Sequence, residues 1–134
     1  MIEFAFALPI LLIIVLLFVD FGLAIDRRQM LQHSVREGAR EGAVGASALD
    51  IQMATAERLG LTDISQITVC YTDTDGDEQF GEVGEDVRVS ADVVYRFATG
   101  TDLASIFGVS PEIRMTPSAQ MRLERNVPGA VGCS

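Results

Sequence analysis

An apolar segment close to the first residue constrains the fold more than any other feature of the sequence. Residues 4–19 contain no charged side chain, and the apolar run resumes at Phe21 after the single Asp20. Counted through Ile25 the run has about 22 residues, enough for a helix to cross a hydrocarbon core of about 30 Å. We expect a membrane helix that stays in the mature protein, because no basic region precedes it and no small-residue cleavage site follows it.

The helical pattern continues past the apolar run as far as residue 46. At about 100° per residue, small and apolar residues share one face while charged residues share the other. The first face contains Leu31, Val35, Gly38, Ala39, Gly42, Gly45 and Ala46. Its three glycines, here called the glycine stripe (Gly38, Gly42 and Gly45), cost about 2–3 kcal/mol of helix stability unless close packing compensates. We expect the stripe to lie against the chain's own sheet; the alternative is a helix that ends at Gly38 or Gly42.

Three residues of the N-terminal segment carry specific chemistry. Glu3 is favourable at a helix N-terminus, by a few tenths of a kcal/mol, and pairing with the terminal amine of a neighbouring subunit is the alternative. Pro9 removes a backbone hydrogen bond, so we expect a kink or local unwinding there. Asp20 would cost about 2.5–3.5 kcal/mol if held charged at mid-bilayer, so it either reaches the interface or pairs with an arginine of another helix.

A second, short helix is predicted directly after the long one. Ser47 is a typical N-cap, Asp50 lies in the first turn and Gly60 is a stop signal, which together predict a helix over residues 48–59. The sequence therefore divides into residues 1–46, a membrane anchor or filament-core helix, and residues 47–134, a small globular domain.

The rest of the domain alternates with a period of two, which is typical of half-buried strands. Three runs show this pattern: residues 65–72, 85–97 and 112–125. Pro117 places the third strand at a sheet edge or marks a bulge, and residues 101–108 predict a short helical turn. We expect an α+β fold, in which an antiparallel sheet of about three strands is covered by the short helix and the polar half of the long helix.

Residues 73–86 contain seven acidic side chains and no basic one. Asp73, Asp75 and Asp77 have the alternate spacing of a calcium loop. Glu78 stands where such a loop needs glycine, and Gly84 stands where it needs a bidentate acid, although Glu85 is the next residue. Two interpretations stay open: a calcium site, or a solvated hairpin loop with Asp-Gly turn chemistry.

The two cysteines, Cys70 and Cys133, predict one disulfide that closes a loop of roughly 63 residues, for about 4 kcal/mol. The bridge requires export of the domain. Arg27 and Arg28 after the apolar run argue for the opposite orientation by the positive-inside rule. We give the cysteines and the acidic, strand-rich domain more weight and expect it to be exported.

Two function classes find no support in the composition. A net charge of −9 without a basic face argues against nucleic-acid binding. The single histidine, His33, lies on the charged face of the long helix, and no phosphate loop or second imidazole is present. We therefore expect neither an enzyme nor a cofactor, with calcium the one candidate ligand.

Several motifs together resemble a known family. They are Glu3 and Phe4 opening the apolar helix, Pro9 within it, Asp-Phe-Gly at residues 20–22, VREGAR at residues 35–40 and AQMRLE at residues 119–124. This combination resembles the TadE-like pseudopilins of the Tad, or Flp, branch of type IV pilus systems. REGAR after the membrane run is its most specific part.

The resemblance implies a prepilin that a dedicated prepilin peptidase cleaves and that waits in the inner membrane. Pilus assembly machinery would then move it into an extracellular filament beside copies of itself or other pilins, supporting adhesion. Glu3 resembles the pilin glutamate of subunit registry, although that residue is usually fifth in the mature chain. Major and minor subunits are both compatible with the resemblance. The alternative is a membrane-anchored exported binding domain with calcium in its acidic loop.

Overall fold

The computed structural model describes residues 2–97 and 112–133, and it confirms the α+β class. Helix α1 spans Ile2–Ala43, helix α2 spans Ala48–Leu59 and a short 3-10 turn spans Ile64–Gln66. Five strands follow: β1 (Ile67–Thr72), β2 (Asp86–Ala91), β3 (Val93–Arg96), β4 (Glu112–Met115) and β5 (Ser118–Arg122). The helical turn predicted for residues 101–108 lies outside the described residues.

The chain divides into two compact units, each of which is described by itself. One unit combines Met1–Arg28 with Val94–Arg114 and contains the apolar half of α1 and most of β3 and β4. The other combines Gln29–Val93 with Met115–Ser134 and contains the second half of α1, α2 and the three-stranded sheet. The domain boundary at residue 46 stays a prediction.

Helix α1 ends earlier than the sequence pattern predicts. Its last residue is Ala43, and the N–H of Gly45 donates to the carbonyl of Gly42 (3.0 Å) while that of Ala46 donates to Glu41 (3.2 Å). This pair of bonds is a Schellman motif, and Gly45 has the left-handed φ of 95° that the motif needs. Gly45 is thus the residue that terminates the helix, while Gly38 and Gly42 lie inside it.

Helix α2 has the predicted bounds and caps. The Ser47 hydroxyl accepts a hydrogen bond from the N–H of Asp50 (3.2 Å), and Gly60 closes the other end. Its Arg58 guanidinium pairs with Glu41 of α1 (Nη2 to Oε1, 2.5 Å). An N-cap of this kind contributes about 1 kcal/mol, so α2 is well defined by local sequence alone.

The main sheet has the strand order β1-β2-β5, with both pairs antiparallel. Tyr71 faces Val87 in the first pair, and Val87 faces Met121 in the second. Strands β3 and β4 form a separate two-stranded sheet. Two of the three predicted runs are therefore each divided into two strands, at Asp92 and at residues 116–117.

Backbone hydrogen bonding explains both divisions. The N–H of Asp92 donates to the carbonyl of Gln66 (2.8 Å), outside the β2 ladder. Pro117 has no N–H to donate, and its carbonyl instead accepts from Ala91 (3.1 Å). Both runs consequently leave the three-stranded sheet at the same place. Pro117 was expected at a sheet edge or a bulge, and β5, which begins at the next residue, is an edge strand of this sheet.

The core of the second unit lies between the helices and one face of the sheet. Helix α1 contributes the buried residues Leu31, Val35 and Ala39; α2 contributes Ile51, Ala56 and Leu59; and the sheet contributes Ile67, Val69, Tyr71, Val87, Val89 and Ala91. A Cβ added to Gly38 would lie 2.6 Å from Thr55 Oγ1, and one added to Gly42 would lie 3.0 Å from a Val87 methyl. The two helical glycines therefore let α1 approach both α2 and β2 closely.

Replacing Gly42 with leucine should destabilise this core. A Cβ there would already lie 3.2 Å from Ile51 Cδ1, and overpacking of this kind costs about 1–3 kcal/mol. We expect a lower unfolding temperature for the purified full-length chain in detergent, followed by the near-ultraviolet circular dichroism of its tyrosines. Gly22→Leu is the matched control, because a Cβ at Gly22 meets no atom within 4 Å. Equal unfolding temperatures for the two variants would contradict the close packing at Gly42.

Candidate functional site

The apolar half of α1 exposes its side chains on all sides. Every described side chain from residue 6 to residue 19 is exposed, and large residues stand out, with Phe4 71 % and Phe18 75 % accessible. Among the described residues, α1 is the one helix that is long and apolar enough to cross a membrane. An apolar surface of this extent requires lipid or other apolar helices around it.

The predicted assembly residues are distributed along this helix. Phe4 and Pro9 are exposed, and α1 continues through Pro9 without a break. The backbone at Glu3 is helical. Asp20 differs from its apolar neighbours because it is buried, with 3 % of its surface accessible.

The glycine stripe does not act as one surface. Gly38 and Gly42 face α2 and β2 of the same chain, whereas Gly45 lies after the helix, where an added Cβ would be 3.2 Å from Arg125 Cβ. All three positions are thus packed against the chain itself. The whole stripe was expected to lie against the chain's own sheet; Gly38 and Gly42 do approach β2, whereas Gly45 meets Arg125, which follows β5.

Asp73 organises the acidic loop between β1 and β2. Its Oδ1 accepts hydrogen bonds from the N–H groups of Asp75 (3.1 Å) and Gly76 (2.6 Å), and its Oδ2 accepts one from Glu78 (3.0 Å). The bond from Gly76 is the largest cause that lowers the pKa of Asp73, followed by the bond from Glu78. Glu78 adopts a left-handed φ of 62° at the position where a calcium loop has glycine.

Two groups of three acids occur among the described residues. Carboxylate oxygens of Asp73, Asp75 and Glu85 lie within 4.8 Å of one another, as do those of Asp75, Asp77 and Glu82. No group among these residues contains all three predicted ligands, Asp73, Asp75 and Asp77. Desolvation raises the pKa of Asp75, and the neighbouring Asp77 and Asp73 carboxylates add to it. Either acidic group could hold a metal ion.

Glu85 is the residue of this loop that sequence reasoning left outside the site. It is 4 % exposed, and its Oε2 accepts hydrogen bonds from the N–H groups of Gly81 (2.6 Å) and Glu82 (3.0 Å). Its Oε1 is buried without a hydrogen-bond partner in the described protein. The sequence did contain a signal for Glu85. This residue directly precedes β2, and β2 pairs with β1, the strand that ends just before Asp73.

The disulfide between Cys70 and Cys133 is present, which confirms the prediction. Residues 131–133 extend the β1 edge of the sheet. The N–H of Tyr71 donates to Val131 and the N–H of Cys133 donates to Tyr71, both at 2.9 Å, forming a parallel bridge with Gly132. Gly132 also lies under the ring of Phe80, which ties the acidic loop to the tail.

Comparison with known proteins bears on the N-terminal helix. Residues 1–40 match the family model of TadE-like proteins. The match confirms the resemblance and covers the apolar segment together with VREGAR at residues 35–40. No curated protein and no solved structure matches the chain.

Removing the disulfide should loosen the tail and lower stability. Replacement of Cys70 and Cys133 together by serine is expected to reduce the free energy of unfolding by about 2–4 kcal/mol, because the bridge restricts a long loop of the unfolded chain. Urea unfolding of the full-length chain measures this difference. The reduced wild type is the control and should match the double variant. Coincident unfolding of the oxidised wild type and the variant would contradict a stabilising role.

Proposed function

We propose that this protein is a pilin-like structural subunit of an extracellular Tad, or type IV-like, filament that supports surface adhesion. The observation that carries the proposal is the apolar half of α1, exposed on all sides, within the segment that matches the TadE-like family. Such a helix is solvated by lipid in the inner membrane and by apolar helices of other subunits in a filament. Assembly exchanges the first environment for the second.

The two halves of α1 have different contacts, and this difference supports the proposed mechanism. Residues 4–25 carry the exposed apolar surface, and we assign them to helix packing between subunits. Gly38 and Gly42 let the second half of the same helix pack into the domain, so we assign them to folding of the subunit. Gly45 contributes by ending the helix where the chain turns into α2.

Glu3 and its neighbours are assigned to registry between subunits. In the resemblance to pilins, a glutamate near the mature N-terminus aligns an incoming subunit, and a charged group among apolar helices strongly favours a partner of opposite charge. Phe4 and Pro9 would shape the same end of the rod. Asp20 is buried in its own chain and is assigned to holding the apolar half of α1 in its unit.

The remaining assignments follow from this role. The partners are other copies of this chain or other pilins, the assembly machinery and a prepilin peptidase. The protein lies in the inner membrane before assembly and in the extracellular filament afterwards. It acts as a structural protein and not as an enzyme.

A membrane-anchored exported binding domain is the second candidate. The acidic groups of the β1–β2 loop favour it, since they could hold a cation. Cation binding is compatible with both functions and does not separate them. Incorporation into filaments does, because a tethered domain remains a single subunit in the membrane.

Immunogold electron microscopy of sheared filaments tests the main proposal. Antibodies against residues 73–86 should label material from cells that express this chain together with its assembly machinery, since the acidic loop is exposed. Label along whole filaments would identify a major subunit and label at tips a minor one. Unlabelled filaments with all protein in the membrane fraction would contradict the proposal.

Replacing Glu3 with glutamine should abolish incorporation while leaving the protein in the membrane. The change keeps the size of the side chain and removes the charge that pairs between subunits. Glu57→Gln, an exposed acid on α2, is the matched control and should assemble normally. Immunoblots of the sheared and membrane fractions measure both. Normal incorporation of Glu3→Gln into filaments would contradict the registry role of Glu3.

A further inference from the structure

The open end of the β1–β2 hairpin places two acids directly opposite each other. The last pair of the ladder joins Thr72 to Asp86, so the next residues outward are Asp73 on one side and Glu85 on the other. Like charges opposite each other in a sheet are destabilising. Asp75 adds a third carboxylate within 4.8 Å, and no basic residue in the described part of the chain forms an ion pair with any of the three.

The environment of Glu85 is a second, independent indication that a ligand binds at this end of the hairpin. Its carboxylate is almost fully buried, and Oε1 has no hydrogen-bond partner among the described residues. A buried carboxylate oxygen without a partner costs more than about 1–3 kcal/mol, so it needs a proton or a cation. The two other carboxylates beside it favour the cation.

We propose that Asp73, Asp75 and Glu85 form a calcium site that closes the end of the β1–β2 hairpin. This site goes beyond the filament role and differs from the alternate-aspartate pattern, because the buried Glu85 takes the place of Asp77. Ligand oxygens on one Ca²⁺ stand about 2.3–2.6 Å from the ion and so within about 5 Å of each other. The separations of at most 4.8 Å in this group meet that requirement.

Distance separates Asp77 from this site. Among the described residues, its carboxylate groups with those of Asp75 and Glu82 and not with that of Glu85. Its oxygens bond instead to Gln79, Oδ1 to the backbone N–H (2.9 Å) and Oδ2 to the side-chain amide (2.8 Å). Glu85 Oε1 has no such partner among the described residues, and the bonds that Oε2 makes fix the position of its carboxylate.

Calcium fits better than magnesium. The group supplies three carboxylates from a loop and leaves the other coordination positions to water or backbone oxygens. Ca²⁺ accepts such irregular sets, whereas Mg²⁺ demands near-octahedral geometry and loses its water reluctantly. For an extracellular module of this kind, dissociation constants on the order of 10⁻⁴–10⁻³ M are typical.

Calcium at this position would also act on the C-terminal segment. The carbonyl of Glu85 accepts from the N–H of Leu123 (2.7 Å), and the carbonyl of Gly81 accepts from Val127 (2.7 Å). A cation that holds Glu85 thus holds residues 81–85 and, through them, residues 123–127. We expect calcium to raise the unfolding temperature of the domain.

Titration calorimetry and thermal unfolding test the site in the full-length chain, purified in detergent and freed of metal with a chelator. CaCl₂ should bind at one site per chain and raise the unfolding temperature. Glu85→Gln and Asp75→Asn should each weaken binding at least about tenfold and remove the thermal shift. Asp77→Asn is the matched control and should stay within about threefold of the wild type, because Asp77 is not one of the three carboxylates of this group.

The outcomes separate this site from the other arrangements. If Glu85→Gln fails to fold, the contrast between Asp75→Asn and Asp77→Asn decides. Both residues are exposed, and the circular dichroism of each variant without calcium verifies its fold. Binding that survives Glu85→Gln but is lost in both Asp75→Asn and Asp77→Asn would overturn the proposal in favour of the group of Asp75, Asp77 and Glu82. No heat and no thermal shift in the wild type at millimolar CaCl₂ would overturn it outright. Equal affinity for MgCl₂ would overturn the assignment to calcium.

Discussion

The close approach of α1 to α2 and β2 at Gly38 and Gly42 is the contact on which the domain depends. One face of a small sheet and one face of a short helix cannot bury enough apolar area alone, so both need the long helix as a third layer. Any side chain at these two positions would meet Thr55, Ile51 or Val87. The roughly 2 kcal/mol that two helical glycines cost is therefore offset by the burial of Leu31, Val35 and the valines of β2.

The two halves of α1 have surfaces suited to different surroundings. Its second half has an apolar stripe and a charged face, as a helix on the surface of a water-soluble domain does, and the stripe is covered by the chain itself. Its first half is apolar on every side and has no such cover over residues 6–19. The described part of the domain therefore buries its own apolar face, whereas residues 6–19 leave theirs exposed, which agrees with the proposed exchange of lipid for other helices.

Local signals in the sequence were sufficient for some features and insufficient for others. Ser47, Gly60 and the apolar spacing predicted α2, and two cysteines left a single possible pairing. The end of α1 was missed because the helical spacing of apolar residues continues to Ala46. The left-handed backbone of Gly45, which ends the helix, cannot be read from that spacing. The sequence did not predict that strands would end at Asp92 and Pro117. Both ends depend on hydrogen bonds to residues distant in sequence, from Asp92 to Gln66 and from Ala91 to Pro117. Glu85 was set aside for the same reason: its burial is a tertiary property.

The acidic loop owes its order to residues far away in the sequence. Within the loop, Asp73 and Asp77 bond to nearby N–H groups, but these turns alone leave the mutual repulsion of seven acids uncompensated. The C-terminal segment supplies the rest: Leu123 and Val127 bond to the loop backbone, Gly132 packs under Phe80, and the disulfide holds the last turn at β1. These contacts couple the loop to the tail, so we expect the two segments to unfold together. A group that stabilises Glu85, at one end of this unit, therefore acts on the same equilibrium as the bridge at Cys133, at the other end.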